Sequence, residues 1–92
     1  MQLNVEWDVV KAAKNLKKHG VSFYEAASVF NDENAITIDD PDHSTQEDRY
    51  VDIGLSEKSR LLVVVYTERK SNIRIISARE ATPKEIKEYE NI

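Results

Sequence analysis

Two arginines and a tyrosine in the C-terminal half of the chain have the types and spacing to hold a phosphate. The β-rich segments that carry them are joined by short polar connectors, and short connectors fix the register of hairpins. The favoured register places Arg49 opposite Tyr66 and Tyr66 opposite Arg74 on one sheet face, with Glu47 and Glu68 at its edge. Converging guanidinium groups bind a phosphate through paired N–H bonds, so this alignment predicts an anion site.

The same alignment allows a purely structural interpretation, and both interpretations stay open. The two guanidinium groups could form ordinary cross-strand ion pairs and cation–π contacts with the neighbouring acids and Tyr66. Like charges beside one tyrosine repel each other, however, unless an anion or a carboxylate lies between them. The alignment itself requires Leu55 opposite Arg60 and Glu68 opposite Asn72, and a slip of one residue in either hairpin removes it.

The composition excludes several other kinds of chemistry. The chain has no cysteine, so disulfides, thiolate zinc sites and a cysteine nucleophile are excluded. Its two histidines, His19 and His43, lack metal-ligand spacing, and we expect neither a metal nor a cofactor. His19 is interpreted either as a donor to the last carbonyl groups of a helix or as a proton-transfer residue. The longest apolar run, 61–66, is far shorter than a membrane span, and the first residues lack a signal sequence, so we expect a cytoplasmic protein.

The charges are separated along the chain. The total of 13 basic and 17 acidic residues gives a net charge of −4. Residues 31–57 hold nine acids and one base, whereas residues 60–79 hold five bases and one acid. A chain with such separate stretches can bind an anion on one side and a basic partner on another.

The apolar pattern predicts two helices near the N-terminus. The first spans about residues 9–18, because Asp8 can act as its N-cap and Gly20 can supply the left-handed residue that ends it. The second begins at the S-x-x-E capping box of Ser22 and Glu25. The short connection between the helices predicts a helical hairpin.

Four strands and a last helix follow in the sequence. The strands are rich in Val, Ile, Leu and Tyr and span about 35–38, 47–55, 60–68 and 72–79. The segment 39–46 is predicted to be a polar loop. A helix over about 83–90 begins at a capping box with proline at its first position. This order predicts one α+β domain over residues 1–92, with two N-terminal helices, a four-stranded antiparallel sheet and a C-terminal helix.

Strings of residues in both halves resemble the BrnT family of toxins. In the first half they are Val5-Glu6-Trp7-Asp8, Lys11, Asn15, Lys18-His19-Gly20-Val21-Ser22-Phe23, Ala26 and Phe30. In the second half they are Arg49, Ile53-Gly54, Arg60-Leu61-Leu62-Val63-Val64, Thr67-Glu68-Arg69, Arg74-Ile75-Ile76-Ser77-Ala78-Arg79, Ala81 and Thr82. The resemblance runs from about residue 4 to residue 90.

The resemblance implies a RelE-like fold and a function. BrnT proteins are ribonuclease toxins of bacterial type II toxin–antitoxin modules, which cut RNA without a metal and stop translation. The implied partner is a BrnA-like antitoxin with a ribbon-helix-helix part, through which the toxin would reach operator DNA indirectly. Lys18, His19, Arg49 and Arg79 match the family pattern, which implies functional roles for them. Tyr66 departs from the pattern, because many members have histidine there.

Metal-free RNA cleavage needs three kinds of group. A base takes the proton of the ribose 2′-OH, cations stabilise the charge on the phosphate oxygens, and an acid protonates the leaving 5′-oxygen. We predict that the cations are Arg49, Arg74 and Arg79, although the favoured register places Arg79 on the opposite sheet face from the other two.

The proton-transfer roles stay open at this point. Glu68 and His19 are the candidates for the base, and Tyr66 and Lys18 are the candidates for the acid. Further contacts to RNA are predicted for Arg60, Arg69 and Lys70. The alternative function is that of a catalytically inactive RelE-like module that only binds a protein partner.

Overall fold

Three α-helices and one five-stranded sheet form the described part of the protein. The computed structural model describes residues 4–39 and 48–91. The elements are β1 (Asn4–Glu6), α1 (Val9–His19), α2 (Phe23–Ser28), a 3₁₀ turn (Val29–Asn31), β2 (Ile36–Asp39), β3 (Arg49–Leu55), β4 (Leu61–Arg69), β5 (Asn72–Glu80) and α3 (Pro83–Glu90). The strands follow the order β1-β5-β4-β3-β2, and all neighbours are antiparallel except the parallel pair β1 and β5.

The predicted fold, two N-terminal helices followed by a four-stranded antiparallel sheet, is wrong. A short strand precedes the first helix and adds a parallel edge to the sheet, where Val5 pairs with Ile73. Three residues are too few to show the alternation that marks a strand in sequence. Their partner lies at the far end of the chain, so only the tertiary fold reveals the pairing. The predicted loop from residue 40, with His43 and Glu47, lies outside the described residues.

The predicted caps of α1 are confirmed. The Asp8 side chain accepts hydrogen bonds from the backbone N–H groups of Val10 and Lys11, at 2.8 and 3.2 Å. Gly20 ends the helix at φ 70° and donates to the carbonyl of Leu16. Left-handed backbone is readily adopted by glycine, which explains the sharp turn into α2.

A buried asparagine fastens α1 to the edge of β5. Asn15 Nδ2 donates to the carbonyl oxygen of Ala78 at 2.8 Å, and Asn15 Oδ1 accepts from the Ala78 N–H at 3.1 Å. The same Nδ2 also donates to the carbonyl of Val21 at 3.0 Å. The side chain thus makes the two bonds that a neighbouring strand would make, beyond the point where β1 ends. One flank of α1 is thereby held beside β5.

The main core lies on the sheet face that packs against α1 and α2. Its buried residues are Val21, Phe23, Ala26, Val29, Leu62, Val64, Tyr66, Ile73, Ile75 and Ala78. Ile53 and Val63 pair with each other on the opposite face and are also buried, where α3 lies against β3. Next to them on that opposite face lie Val51 and Val65, and beyond this pair come the polar residues described below.

Both hairpin registers differ by one residue from the predicted alignment. Leu55 pairs with Leu61, and Arg69 pairs with Asn72. The turns contain Ser59 at φ 62° and Lys70 at φ 55°. Both residues adopt left-handed conformations, which a sequence usually indicates by a glycine. A two-residue turn at 70–71 therefore replaces the three-residue connector that the sequence predicts.

Candidate functional site

The shifted registers bring a threonine between the two arginines. Arg49 pairs with Thr67, and Thr67 pairs with Arg74, so the three side chains lie side by side across β3, β4 and β5. They lie on the sheet face opposite to the α1–α2 core. The predicted rank of Arg49, Tyr66 and Arg74 is therefore corrected to the set of Arg49, Thr67 and Arg74, which we call the arginine row.

The middle of the arginine row has an unsatisfied hydroxyl group. Thr67 is 1% exposed, and its Oγ1 has no hydrogen-bond partner among residues 4–39 and 48–91. A buried polar group without a partner costs about 1–3 kcal/mol, which a bound ligand can remove. Arg49 is half-buried, and its guanidinium forms no hydrogen bond or ion pair with a residue in the two described segments. Arg74 is held by Glu6, with its NH1 group 2.9 Å from Glu6 Oε2.

A β-bulge places Arg79 on the same sheet face as the arginine row. Val65 pairs with Ser77 and Tyr66 pairs with Ile75, which leaves Ile76 without an opposite residue. The extra residue reverses the alternation of side chains along β5. The predicted register, which placed Arg79 on the opposite face from Arg49 and Arg74, is therefore wrong.

Arg79 is paired with a carboxylate of its own chain. Its NH1 and NH2 groups donate to Glu85 Oε1 and Oε2 at 2.8 and 2.9 Å, and Glu85 lies in the first turn of α3. Hydrogen bonding to Arg79 is the main cause that lowers the pKa of Glu85 to about 2, from its usual 4.5. The bidentate pair fixes the orientation of the Arg79 guanidinium.

Cationic residues of α1 line a groove against β5. Lys18 is exposed, His19 is half-buried, and both face a cavity of about 330 Å³ whose other wall includes Ile76 and Ser77. Further residues of α1 complete the cavity wall: Lys11, Lys14 and Asn15. We call this cavity the lysine groove. It unites the two residues of the first helix that the resemblance singled out with the bulged part of β5.

The arginine row and the lysine groove meet on β5. Ser77 pairs with Val65, which precedes Thr67 by two residues in β4. Ser77 therefore lies on the same sheet face as Thr67. Arg74 precedes Ser77 by three residues, which corresponds to roughly 10 Å along a strand. Ser77 thus lies on the face of the arginine row and also lines the lysine groove.

Tyr66 and Glu68 do not join the arginine row, because their side chains lie on the opposite sheet face. Tyr66 is buried in the core, edge-on to Phe30 at a centroid distance of 5.0 Å, and its hydroxyl donates to Asp52 Oδ1 at 2.8 Å. Burial, and then the hydrogen bond to Asp52, raise the pKa of Tyr66. Glu68 pairs with Ile73 on that face and is exposed at the end of the sheet.

We expect Asp52→Asn to stabilise the protein at pH 7. Asp52 is buried, and its Oδ1 accepts from Thr37 Oγ1 as well as from Tyr66, bonds that an asparagine oxygen keeps. Burial raises the pKa of Asp52, so its contribution to stability is full below the unfolded carboxyl pKa and declines as the pH rises through the folded value. Thermal unfolding should show a gain on the order of 1 kcal/mol at pH 7 that shrinks toward pH 4. An equal effect at both pH values would contradict this account.

The three residues predicted to make further RNA contacts lie in different places. Arg60 forms a structural ion pair with the buried Glu25 carboxylate, and its NH2 group also donates to the carbonyl of Gly20 at 3.1 Å. Arg69 and Lys70 are exposed at the β4–β5 turn, next to the end of the arginine row. Only these two of the three therefore lie beside the arginine row.

Sequence reasoning missed Thr67, Ser77 and the lysines Lys11 and Lys14 as parts of the site. The helical spacing of Lys11, Lys14 and Lys18 gives one flank of a helix, and that signal was available from the sequence. The position of Thr67 could not be predicted from the sequence, because it depends on the hairpin register. The sheet face on which Ser77 lies depends on the bulge.

An α+β domain whose cations gather on one sheet face and one helix flank is typical of proteins that bind a polyanion. The sequence model of the BrnT family, described as the ribonuclease toxin of a type II toxin–antitoxin system, matches residues 7–85. The chain belongs to this family. No curated protein was found to match it.

A solved structure shares the fold. The 1.1 Å crystal structure of the Brucella abortus ribonuclease toxin, BrnT, aligns with a TM-score of 0.67 and 24% sequence identity, over 88% of this chain and 99% of that one. In residues 4–39 and 48–91 no helix is long and apolar enough to cross a membrane. Nor do His, Cys, Asp or Glu side chains of the described segments form a group of three that could hold a metal ion.

Proposed function

We propose that the protein is a metal-independent RNA endonuclease that stops translation, with its reaction centre where the arginine row meets the lysine groove. One observation carries the proposal: Ser77, which lines the lysine groove beside His19, lies on the same face of β5 as Arg74, and Arg49 lies on this face too. The family, described as ribonuclease toxins, supports RNA as the anion.

The proposed chemistry uses the 2′-OH of the ribose as the nucleophile. His19 takes the proton of that hydroxyl, since Glu68 lies on the other sheet face, and the 2′-oxygen attacks the adjacent phosphorus. Arg49 and Arg74 stabilise the charge that develops on the phosphate oxygens, with the Thr67 hydroxyl as a further donor. Lys18 is the donor to the departing 5′-oxygen, since Tyr66 is buried in the core.

Arg79 makes no direct contact with the phosphate in this proposal. Its guanidinium is already held by both oxygens of Glu85, and the charge of that carboxylate offsets its own, so Arg79 can bind a phosphate only if the phosphate displaces Glu85. Arg69 and Lys70 extend the cationic surface beyond the end of the arginine row. We further propose that the protein acts in the cytoplasm, that a BrnA-like antitoxin with a ribbon-helix-helix part neutralises it, and that it reaches operator DNA only through this antitoxin.

The decisive experiment is RNA cleavage in the presence of a chelator. Purified protein is incubated with a long single-stranded RNA in excess EDTA, and the products are examined for 2′,3′-cyclic phosphate ends. We expect cleavage with such ends, because attack by the 2′-OH leaves them. His19→Ala and Lys18→Ala should each lower the rate about 10²–10⁴-fold, the usual contribution of one proton-transfer group. Cleavage that needs a divalent metal, or RNA that stays intact, would overturn the proposal.

One observation favours a second candidate, a catalytically inactive module that only binds its partner. Both Arg74 and Arg79 are paired with carboxylates of the chain, namely Glu6 and Glu85. Internal carboxylates at these positions compete with a phosphate for the guanidinium groups. Intact RNA together with tight binding of the antitoxin would select this candidate.

A further inference from the structure

An apolar groove lies on the flank of α1 that faces away from the lysine groove. The cavity has a volume of about 310 Å³ and is formed by the α1–α2 hairpin and the residues before it. Its main lining residues are Trp7, Val9, Ala13, Leu16, Phe23 and Tyr24. The Trp7 ring forms the floor, edge-on to both Phe23 and Tyr24 at centroid distances of 6.1 and 4.9 Å.

Exposed apolar side chains are concentrated at this groove. Tyr24 is 77% exposed and Leu16 is 51% exposed, and Val9 is also largely exposed. The other large exposed apolar residues of the described segments, Val10, Ile38 and Leu55, do not line the groove. An apolar surface of this kind, with an aromatic floor and an exposed tyrosine, is typical of a protein-binding site.

The charge around the groove identifies the kind of partner. Helix α1 carries four lysines and no acidic residue between Val9 and His19. Lys17 follows Leu16 directly and is exposed beside the groove. A segment that fills the groove therefore meets only positive charge along α1, which favours an amphipathic partner helix with an acidic flank.

The position of α1 between two grooves suggests how such a partner would act. Residues 9, 13 and 16 face the apolar groove, while residues 11, 14 and 18 face the lysine groove. The exposed side of α1 between the two grooves carries Lys17, so the acidic flank of a helix seated in the apolar groove can extend over this side toward Lys14 and Lys18. Binding on one flank of the helix would thus neutralise the other.

We propose that the apolar groove binds an acidic amphipathic helix of the antitoxin, which masks the lysine groove from RNA. The family supplies the class of partner, since type II toxins have a protein antitoxin. The masking step rests on the proposed function, whereas the docking step does not. Affinity for the antitoxin and cleavage of RNA are therefore measured separately.

The test compares the affinity of full-length variants for the antitoxin, purified after co-expression and titrated by calorimetry. Leu16→Ser/Tyr24→Ser should weaken binding at least about 30-fold, the loss expected for central interface residues. RNA cleavage by the same free variant should be unchanged. Leu55→Ser is the matched control, because Leu55 is an exposed apolar residue away from the groove, and it should bind like the wild type.

A charge reversal tests the acidic flank. Lys17→Glu should weaken binding by about tenfold, the effect of one like-charge contact at an interface, and the loss should diminish at high salt. Unchanged affinity of the Leu16→Ser/Tyr24→Ser variant would overturn the docking site, and tighter binding of Lys17→Glu would overturn the acidic partner. A wild-type dimer that this double variant converts to a monomer with unchanged antitoxin affinity would assign the groove to self-association instead. Failure of the wild type to cut RNA would overturn the proposed function alone, and the affinities would still decide the docking site.

Discussion

Replacing Arg60 by alanine is expected to destabilise the protein by about 3–5 kcal/mol, because the change leaves the buried Glu25 carboxylate without its counter-ion. Arg60 Nε donates to Glu25 Oε2 at 2.9 Å, and Arg60 NH2 contacts Glu25 Oε1. Ser56 Oγ donates to Glu25 Oε2 at 2.7 Å. These bonds tie α2 to the β3–β4 turn, so their loss should lower the midpoint of urea unfolding.

The pH dependence separates this mechanism from a simple loss of packing. The hydrogen bond from Arg60 is the main cause that lowers the pKa of Glu25, so the stability it supplies is present above the unfolded carboxyl pKa and is lost as the pH falls. In Arg60→Ala, burial without the arginine raises the pKa of Glu25 instead. The deficit of the variant should therefore be largest near pH 7 and become smaller toward pH 4.

A double variant provides the control for Arg60→Ala. Glu25→Gln removes the charge and keeps an oxygen that can accept from Ser56, so Arg60→Ala/Glu25→Gln should recover part of the loss at pH 7. A deficit of Arg60→Ala that is independent of pH, or a double variant that is less stable than the single one, would contradict the ion-pair explanation.

The helices could be predicted from the sequence because their signals are local. Ser22 accepts from the Glu25 N–H at 3.0 Å, and Thr82 and Glu85 form the complete capping box at the start of α3. The sequence also predicts a full capping box at Ser22, in which the side chain of Glu25 would turn back to the N-cap. That carboxylate instead binds Arg60 and Ser56, which are distant in sequence. The local motif therefore located the start of the helix, but it did not reveal that the Glu25 side chain binds residues of the β3–β4 turn.

Four of the five strands could be predicted too, but their alignment could not. Segments rich in Val, Ile, Leu and Tyr locate β3, β4 and β5 to within about two residues, the usual uncertainty for element ends. Register depends on turn conformation, and Lys70 adopts a left-handed conformation that cannot be predicted from its residue type. One residue of slip exchanged Tyr66 for Thr67 between the two arginines.

The bulge had the larger consequence for the candidate site. Arg74 and Arg79 are five residues apart, and a regular strand places residues at odd separations on opposite faces. The unpaired Ile76 brings them to one face, a change that only the pairing of β5 with β4 reveals. The periodicity argument therefore separated Arg79 from Arg74, and the observed strand pairing was needed to bring them together, while the functional role that the resemblance implied for Arg79 stays a prediction.

Arg49→Ala is expected to lower the rate of RNA cleavage about 10²–10³-fold, the usual loss when one preorganised donor to a developing oxyanion is removed. The fold should persist, because Arg49 is half-buried and its guanidinium has no hydrogen bond or ion pair within the described segments. Induction of Arg49→Ala in growing cells should no longer arrest growth. The cleavage rate of Arg49→Lys should lie between those of the wild type and Arg49→Ala, since lysine keeps the charge but loses the two parallel N–H donors. Lys58→Ala, which removes an exposed cation at the distant β3–β4 turn, should cleave RNA like the wild type.

Thr67→Val separates a ligand-binding role of the arginine row from a structural one. The Thr67 hydroxyl is buried and has no hydrogen-bond partner in the part of the chain that the structure describes, so its removal should stabilise the protein, by on the order of 1 kcal/mol in thermal unfolding. If the hydroxyl donates to the phosphate, the same change should lower the rate of RNA cleavage. A variant that is more stable but less active indicates a group kept for its ligand, since a purely structural group would not show both effects. Full activity in both Arg49→Ala and Thr67→Val, with the fold intact, would remove the reaction centre from this face of the sheet.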